Sequence, residues 1–250
     1  MRTRLAAALL ALWPLAIGAG QPACAASPCR DLTFEGEPFT ICEATSADDL
    51  RIFQTAPDGR PYGGFDRVDA VLADEGRQLA FAMNAGMYHP DRRPVGLLVE
   101  RGEARAPLVT SAGPGNFGML PNGVFCIADR FRVIESRAFA AERPACRFAS
   151  QSGPMLVIDG ALHPRFLPDS PSRYVRNGVG VSDDGSRAVF AISNRAVTFH
   201  QFARVFRDAL GLRQALYLDG SISRLYDAGS GRFDWGTPMG PIVGLVVPKR

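Results

Sequence analysis

The stretch Gln214-Ala-Leu-Tyr-Leu-Asp-Gly-Ser-Ile-Ser-Arg-Leu-Tyr226 joins a short apolar run to a polar turn. Residues 215–218 are apolar over a length typical of a buried strand. The strand is expected to end at Asp219-Gly220, a pair that marks turns, and Ser221 and Ser223 follow at once. A carboxylate and two hydroxyls therefore meet where a strand leaves the core, a position that often carries function. A plain Asx turn with polar capping explains the same residues.

Turn residues divide the rest of the chain into many short apolar runs and two helical patterns. Hairpins are predicted over 26–45, 124–135 and 177–193. Helices are predicted over 66–75 and 199–210, and the second begins with a capping box of Thr198 and Gln201 and ends at Gly211. The segment 139–148 is expected to lie across the surface. Because regular β-α-β alternation is missing, the fold class is α+β, a single domain with a mixed or antiparallel sheet and few helices.

The first 25 residues have the three parts of a secretory signal peptide. Arg2 and Arg4 precede an apolar run over residues 5–17, and Ala23-Cys-Ala25 is a small-residue cleavage site. The mature domain is therefore predicted to span 26–250, in the periplasm or secreted. The apolar run is too short for a stable membrane span. A lipoprotein anchored through Cys24 is less favoured, because the residues before it make a poor lipobox.

Cleavage would leave four cysteines, Cys29, Cys42, Cys126 and Cys146. An even number in an exported chain indicates two disulfides, although the sequence allows three pairings. Cys29–Cys42 and Cys126–Cys146 are favoured, because each closes a local excursion of the chain. A zinc site is disfavoured, since no pair has Cys-x-x-Cys spacing and no histidine lies near them.

Composition and motifs exclude several classes of function. The chain has 250 residues, 46% of them hydrophobic, and a formal charge of +3 without any basic run. We therefore expect one globular core and no nucleic-acid partner. No glycine-rich dinucleotide motif, P-loop, Gly-x-Ser-x-Gly elbow or His-Glu-x-x-His pair is present, so no cofactor or metal is expected. The oligomeric state is left open.

Four stretches in order resemble the sequence blocks of the phosphodiester glycosidase family, in particular its exported bacterial branch with an uncovering-enzyme-like domain. They are Phe81-Ala-Met-Asn-Ala-Gly-Met-Tyr88 with Gly96, Ser152-Gly-Pro-Met-Leu-Val-Ile-Asp-Gly160, Arg176-Asn-Gly-Val-Gly-Val181 and Leu218-Asp-Gly-Ser-Ile-Ser223. The resemblance covers roughly residues 50–248. It implies a hydrolase that acts on a glycan or a sugar-phosphate small molecule.

The resemblance and the residue types together suggest catalytic roles. Asp219 would act as general base or nucleophile, and Arg176 would hold the phosphate with its forked guanidinium. Asp159 is a candidate second carboxylate, and His89 is a candidate general acid or base. Each has a structural alternative: a hairpin turn for Asp159, an ion pair for Arg176 and a surface loop for His89.

The same blocks imply a set of substrate-binding residues. Asn84 and Ser223 would orient the sugar, and glycine N–H groups would approach phosphate oxygens closely. The full set is Asn84, Gly86, Ser152, Gly153, Gly220, Ser221 and Ser223.

Three functions remain open at the level of sequence. The first is an exported hydrolase that cleaves a sugar-1-phosphodiester in a glycan or envelope component. The second is a non-catalytic glycan-binding envelope protein, because Ala85 and Ile222 replace glycines of the family blocks. The third is a metal-dependent phosphodiesterase with Asp159, Asp219 and a histidine as ligands.

Overall fold

Antiparallel strands dominate the structure. The computed structural model describes residues 27–219 and 222–249. Within these residues the strands are β1 (Cys29–Phe34), β2 (Glu37–Thr45), β3 (Asp49–Phe53), β4 (Arg77–Asn84), β5 (Leu98–Glu100), β6 (Glu103–Ala106), β7 (Gly123–Ile127), β8 (Phe131–Glu135), β9 (Phe148–Ser152), β10 (Met155–Ile158), β11 (Ala161–Leu162), β12 (Asn177–Val181), β13 (Arg187–Ser193), β14 (Gln214–Asp219), β15 (Leu225–Asp227), β16 (Arg232–Phe233) and β17 (Ile242–Pro248). The helices are α1 (Phe65–Asp74), α2 (Ser136–Glu142) and α3 (Phe199–Arg204), and a π-helical turn (Val205–Ala209) continues α3.

The described strands form three sheets. A seven-stranded sheet has the order β1-β2-β13-β12-β14-β10-β11, a sheet around β4 has the order β16-β15-β4-β17-β3, and a sheet around β9 has the order β6-β5-β9-β7-β8. Every pairing between these strands is antiparallel. The predicted α+β class is therefore confirmed. Of the two predicted sheet types, mixed and antiparallel, the described strands form the antiparallel type.

The three sheets turn their inner faces toward one hydrophobic core. The core contains Phe81 and Met83 of β4, Phe125 of β7, Phe190 of β13 and Leu216 of β14. The outer face of each sheet is covered by one of the three helices, so that Leu79 and Ala82 of β4 pack with α1 on the other side. Strands that are buried on both faces have continuous apolar sequences, which is why the central strands lack a polar–apolar alternation.

The seven-stranded sheet and α3 approach each other closely. Thr198 and Gln201 form the predicted capping box at the start of α3. A Cβ atom on Gly180 of β12 would lie 2.7 Å from Leu212 Cδ1 and 2.9 Å from Phe206 Cδ1. A side chain at position 180 would therefore push this layer away from β12, the strand that begins at Asn177 directly after Arg176.

Two disulfides link the predicted partners. Cys29 and Cys42 lie opposite each other in β1 and β2, and Cys126 of β7 is bonded to Cys146, just before β9. Each closes a short loop and contributes roughly 3 kcal/mol to stability in the chain-entropy account. Disulfides persist in oxidising compartments, so the pair indicates a protein that resides outside the cytoplasm.

The N-terminal predictions lie outside the described residues. The signal peptide, its cleavage site and Cys24 all fall in residues 1–26. In the part of the chain that the structure describes, no helix has the length and apolar character needed to cross a membrane.

The segment after β8 differs from the prediction. Residues 139–148 were expected to lie across the surface, but Ser136–Glu142 forms α2, and Phe139 is buried against the β9 sheet. The sequence lacks the usual signals here, because the N-cap is Glu135, whose carboxylate accepts from the backbone N–H groups of Arg137 and Ala138. The C-cap is Arg143 in the left-handed conformation, where glycine is usual.

Candidate active site

Asp219 is the last residue of β14 and lies at the point where this central strand leaves the core. Its side chain is buried. Asn177 of β12 pairs with Asp219, whereas the next residue, Gly178, pairs with Tyr217, so Leu218 is the extra residue of a bulge. Bulges redirect side chains at the ends of strands and are common beside active sites. The expected polar exit from the core is therefore present, with a bulge beside the carboxylate.

A buried pair of amides links the seven-stranded sheet to the β4 sheet beside Asp219. Asn84 Nδ2 donates to Asn177 Oδ1 over 3.0 Å, and Asn177 Nδ2 donates to the Asn84 carbonyl over 2.9 Å. Both side chains are fully buried. Because buried amides are costly unless they are hydrogen-bonded, this reciprocal pair fixes the relative position of the two strand ends.

The same amides hold the segment that follows the Asp219 turn. Arg224 N–H donates to Asn84 Oδ1 over 2.9 Å, and Ser223 Oγ lies within hydrogen-bond distance of the Val175 carbonyl and of Asn177 Oδ1. Asn84 and Ser223 are thus brought together as predicted. Both are used within the protein, so they shape the site by holding residues 222–224. Gly220 and Ser221, the other predicted residues of this turn, lie outside the described residues.

A cleft of about 550 Å³ opens above Asp219 and is called the Asp219 cleft here. The loop after β4 forms one wall of this cleft. The loop turns back on itself at His89, whose carbonyl accepts from the Arg92 N–H. Its lining residues are Met87, Tyr88, His89, Pro90, Arg92, Val95, Gly115, Asn116, Asp219 and Ile222. The structure therefore brings His89 and Asp219 to one cleft, as the sequence predicted.

Charges of both signs surround the Tyr88 phenol. Burial raises the pKa of Tyr88, and the nearby charge of Asp219 raises it further, while Arg92 and Arg224 act in the opposite direction. Burial lowers the pKa of Arg224, and the negative charges of Asp234 and Asp219 partly offset that effect. At neutral pH the site thus combines a neutral phenol and two guanidinium groups with the carboxylate of Asp219.

Tyr88 presents an unused polar atom to this arrangement. Its hydroxyl is buried and has no hydrogen-bond partner among the described residues. The Arg92 guanidinium lies 5.4 Å from the centre of its ring. A Cβ on Gly240 would lie 2.6 Å from the Tyr88 ring, so glycine makes room for the aromatic side chain. A buried hydroxyl without a partner is expensive, and a substrate oxygen is a natural acceptor for it.

Arg176 lies outside the Asp219 cleft and is fully buried. Its guanidinium donates to the Val197 carbonyl over 2.9 Å, and to the Tyr217 hydroxyl and the Ser172 carbonyl over 3.1 Å each. The Phe199 ring centre lies 3.7 Å from Cζ. Burial lowers the pKa of Arg176, and Tyr217 acts in the opposite direction. The structure therefore gives this residue a structural role, through carbonyls and rings instead of the ion pair considered as the alternative.

Asp159 lies at the opposite end of β14 from Asp219. It occupies the turn between β10 and β11 with φ of 50°, and its carboxylate accepts from Gln214 Nε2 over 2.6 Å. Gln214 and Asp219 are the two ends of the same strand. The structure thus does not bring the predicted second carboxylate to the site, and the hairpin-turn alternative describes it.

Three further predicted site residues, Ser152, Gly86 and Gly153, are used in packing and hydrogen bonding within the protein. Ser152 Oγ donates to the Leu218 carbonyl over 2.9 Å, at the bulge beside Asp219. A Cβ on Gly86 would lie 2.6 Å from Ser150 Oγ, and one on Gly153 would lie 2.7 Å from Asn122 Cβ. Close packing explains both glycines, and the serine hydroxyl is used in holding a strand end.

The sequence pattern does not single out Tyr88, Arg92, Arg224 or Asn177 as site residues. Tyr88 ends the first family block, Asn177 follows Arg176 directly, and Arg224 comes five residues after Asp219. Their positions in or beside the family blocks are the sequence feature that could have identified them as site residues. Only the fold brings the loop after β4 against the end of β14.

The ligand set of the metal-dependent alternative is not assembled. Asp159 and Asp219 occupy opposite ends of β14. Among residues 27–219 and 222–249 no group of three or more His, Cys, Asp and Glu side chains is arranged to hold a metal ion.

Comparisons with known proteins agree with the sequence blocks. A family profile described as phosphodiester glycosidase matches residues 77–238, a range that includes Asn84, Tyr88 and Asp219. The chain belongs to the phosphodiester glycosidase family, and the predicted resemblance is confirmed. This chain is 35% identical over 216 residues to "Uncharacterized protein YigE" of Escherichia coli (strain K12). The match covers 85% of this chain and 83% of that protein.

A solved structure shows the same fold. It is the zebrafish N-acetylglucosamine-1-phosphodiester alpha-N-acetylglucosaminidase (NAGPA) catalytic domain, auto-inhibited by its pro-peptide. The TM-score is 0.59 with 12% sequence identity, over 87% of this chain and 81% of that one.

The amide pair predicts a measurable coupling between two sheets. In a double-mutant cycle of Asn84→Ala and Asn177→Ala, we expect a coupling of about 1 kcal/mol in the free energy of unfolding, because each single change removes the same hydrogen bond from Asn84 Nδ2 to Asn177 Oδ1. Urea unfolding of the four proteins measures it. Additive effects, within about 0.5 kcal/mol, would contradict the pair.

The buried guanidinium predicts a stability effect. Arg176→Met should lower the free energy of unfolding by about 2–4 kcal/mol, because two carbonyls and the Tyr217 hydroxyl lose their donor. The control is Arg173→Met, whose half-exposed side chain pairs with Glu37 over 3.3 Å and should matter by less than about 1 kcal/mol. Equal stability of the two variants in urea unfolding would show that Arg176 is not a structural residue.

Proposed function

We propose that this protein is a hydrolase that cleaves the bond between the anomeric carbon of a sugar and the oxygen of a phosphodiester. The observation that carries the proposal is the Asp219 carboxylate in a cleft with a neutral phenol and a guanidinium group, in a chain of the phosphodiester glycosidase family. A substrate in a glycan or envelope component, met in the periplasm or outside the cell, agrees with the two disulfides.

Asp219 supplies the negative charge that the reaction needs. As the sugar–oxygen bond breaks, positive charge develops at the anomeric carbon and the phosphate departs with the bonding electrons. Asp219 either takes a proton from the attacking water or attacks the carbon itself, to be released by water in a second step. The phosphate monoester that departs is a good leaving group, so little acid assistance is required.

Arg92 takes the phosphate-binding role that the sequence assigned to Arg176, and Arg224 adds positive charge nearby while its guanidinium donates to the Thr237 carbonyl. Arg92 lines the Asp219 cleft directly, and both act electrostatically on Tyr88. A guanidinium group can donate two parallel hydrogen bonds to phosphate oxygens. Arg176 has no such freedom, because its nitrogens already donate to protein acceptors.

Tyr88 and His89 complete the proposed set. The raised pKa keeps the Tyr88 phenol protonated, so its buried hydroxyl can donate to a phosphate or sugar oxygen. His89 lies on the exposed rim of the cleft, where it can exchange protons with solvent as a general acid or base.

A non-catalytic glycan-binding protein is the second candidate. Ile222 lines the Asp219 cleft in place of a family glycine and adds bulk beside the carboxylate. Saturable binding of a glycan without any product over long incubation would favour this candidate over the hydrolase.

The proposed role of Asp219 can be tested with Asp159 as the control, because Asp159 is a carboxylate at the opposite end of β14. Asp219→Asn should lower kcat/KM by at least about 100-fold on a panel of UDP-sugars and sugar aryl phosphodiesters, because the neutral amide cannot act as base or nucleophile. Asp159→Asn is the matched control, since asparagine tolerates the positive φ of that turn and should retain full activity.

The products separate the candidate reactions. In water enriched in ¹⁸O, the proposed cleavage releases free sugar that carries the label at the anomeric oxygen. A sugar 1-phosphate with unlabelled anomeric oxygen, together with inhibition by a chelator, would instead identify a phosphodiesterase. Full turnover by Asp219→Asn would refute the role assigned to this residue.

Two adjacent arginines test the phosphate site. Arg92→Gln should raise KM about 10- to 100-fold, because it removes a charge-assisted hydrogen bond to phosphate. Arg93→Gln is the control, since Arg93 has a side-chain exposure of 76%, pairs with Asp91 and does not line the cleft. Steady-state kinetics that show equal KM values for both variants would rule out Arg92 as a phosphate ligand.

A further inference from the structure

Three exposed hydrophobic side chains line one cleft beside the candidate active site. The large hydrophobic residues exposed in the described part of the chain are Leu167, Tyr174, Val175 and Trp235. All except Leu167 line a cleft of about 650 Å³, called the aromatic cleft here. Trp235 has an exposure of 77% and Tyr174 of 55%. Exposed tryptophan and tyrosine gathered in one concave surface are typical of a binding site.

The Trp235 ring is held by stacking, and the Tyr174 backbone is held by hydrogen bonds. Trp235 stacks on Phe233 with ring centres 4.1 Å apart, and Phe233 packs edge to face on Phe65 of α1. The Tyr174 backbone exchanges two hydrogen bonds with Val197. Aromatic side chains that are already ordered lose little conformational entropy when a ligand binds.

Hydrogen-bonding groups surround these rings. Arg232 Nη2 contacts Asp234 Oδ2 over 2.8 Å, and Arg232 Nη1 donates to Asn194 Oδ1 over 2.8 Å. All three side chains line the aromatic cleft together with Ser223 and Arg224. A carboxylate, an amide and guanidinium groups in fixed orientation can bind the adjacent hydroxyls of a sugar, since they offer donors and acceptors side by side.

The aromatic cleft continues into the Asp219 cleft. Ile222 lines both of them. A third cleft of about 680 Å³ shares Arg224, Asp234 and Trp235 with the aromatic cleft, and shares Pro90 and Arg92 with the Asp219 cleft. The segment 222–224 is therefore a ridge with binding surface on each side, and one extended ligand can contact both sides.

We propose that the aromatic cleft is a saccharide-binding subsite, in which a sugar ring stacks on Trp235 and Tyr174 and its hydroxyls bind Asn194, Asp234 and Arg232. This proposal deepens the proposed function and rests on it for the reaction, and it makes the substrate an oligosaccharide or polymer that carries the phosphodiester. A nucleobase can also stack on tryptophan, but it offers fewer groups to the polar side chains around both rings.

Trp235 itself reports on the subsite. The chain has two tryptophans, Trp13 and Trp235, so the full chain with Trp13→Phe contains Trp235 as its single tryptophan. Its emission is titrated with neutral tetrasaccharides of the N-acetylglucosamine, glucose and mannose series, and with UMP. We expect a saturable change and protection from acrylamide quenching with at least one tetrasaccharide. Tyr174→Ala in this background should weaken binding about 10-fold, whereas Leu167→Ala, an exposed residue outside the cleft, should bind unchanged.

Three results would overturn the subsite: no tetrasaccharide affects the emission or quenching of Trp235, UMP alone does so, or Tyr174→Ala binds like Leu167→Ala. The quenching measurement needs no variant of the cleft, so it stands even if Tyr174→Ala does not fold. Because these saccharides contain no phosphodiester, their binding is independent of turnover. Saccharide binding without hydrolysis in the preceding assays would therefore refute the hydrolase and leave the subsite intact.

Discussion

The reciprocal hydrogen bonds between Asn84 and Asn177 join two sheets at the place where the chain leaves the core. Hydrophobic packing alone sets the sheets against each other without fixing how far one slides along the other, because it is not directional. A pair of buried amides is directional, and any offset would leave polar groups without partners. Asp219 is paired with Asn177, and the Arg224 backbone is bonded to Asn84, so the carboxylate and the segment 222–224 take their positions from this one contact.

Arg176 is a second constraint on the same region. A buried cation is costly, but here the guanidinium donates to the carbonyls of Ser172 and Val197 and lies over the Phe199 ring. These contacts hold the loop that leads into β12, and with it Tyr174 and Val175 on the wall of the aromatic cleft. The residue that the sequence suggested as a phosphate ligand thus supports the wall of the aromatic cleft from inside. Arg92, which lines the Asp219 cleft, instead comes from the loop after β4.

The chemistry of the site follows from how its charges are distributed. Asp219, Arg92 and Arg224 all act electrostatically on Tyr88, so charges of both signs lie within range of one phenol. A substrate that develops positive charge at one carbon and carries negative charge on a neighbouring phosphate matches this distribution. The exposed aromatic rings beyond residues 222–224 add a surface suited to the uncharged part of such a substrate.

The sequence by itself determined the fold class, the hairpins, the capped helix and the family, and it favoured the two disulfide pairs that the structure shows. It also named His89 and Asp219 as candidate site residues, and the structure brings these two to one cleft. These features depend on local turn and capping chemistry, on apolar runs and on ordered sequence blocks, all of which can be read along the chain. Only the tertiary structure decided that Asp159 lies at the far end of β14, that Arg176 is buried, and that Tyr88, Arg92 and Arg224 contribute to the site. It also decided that Tyr174 and Trp235 share a cleft. An aspartate before glycine has the same local pattern in a turn and in a site, and a lone arginine has the same pattern whether it is buried or exposed. The difference arises from strand order and long-range packing, which bring together residues that are far apart in the sequence, such as Tyr88 and Asp219.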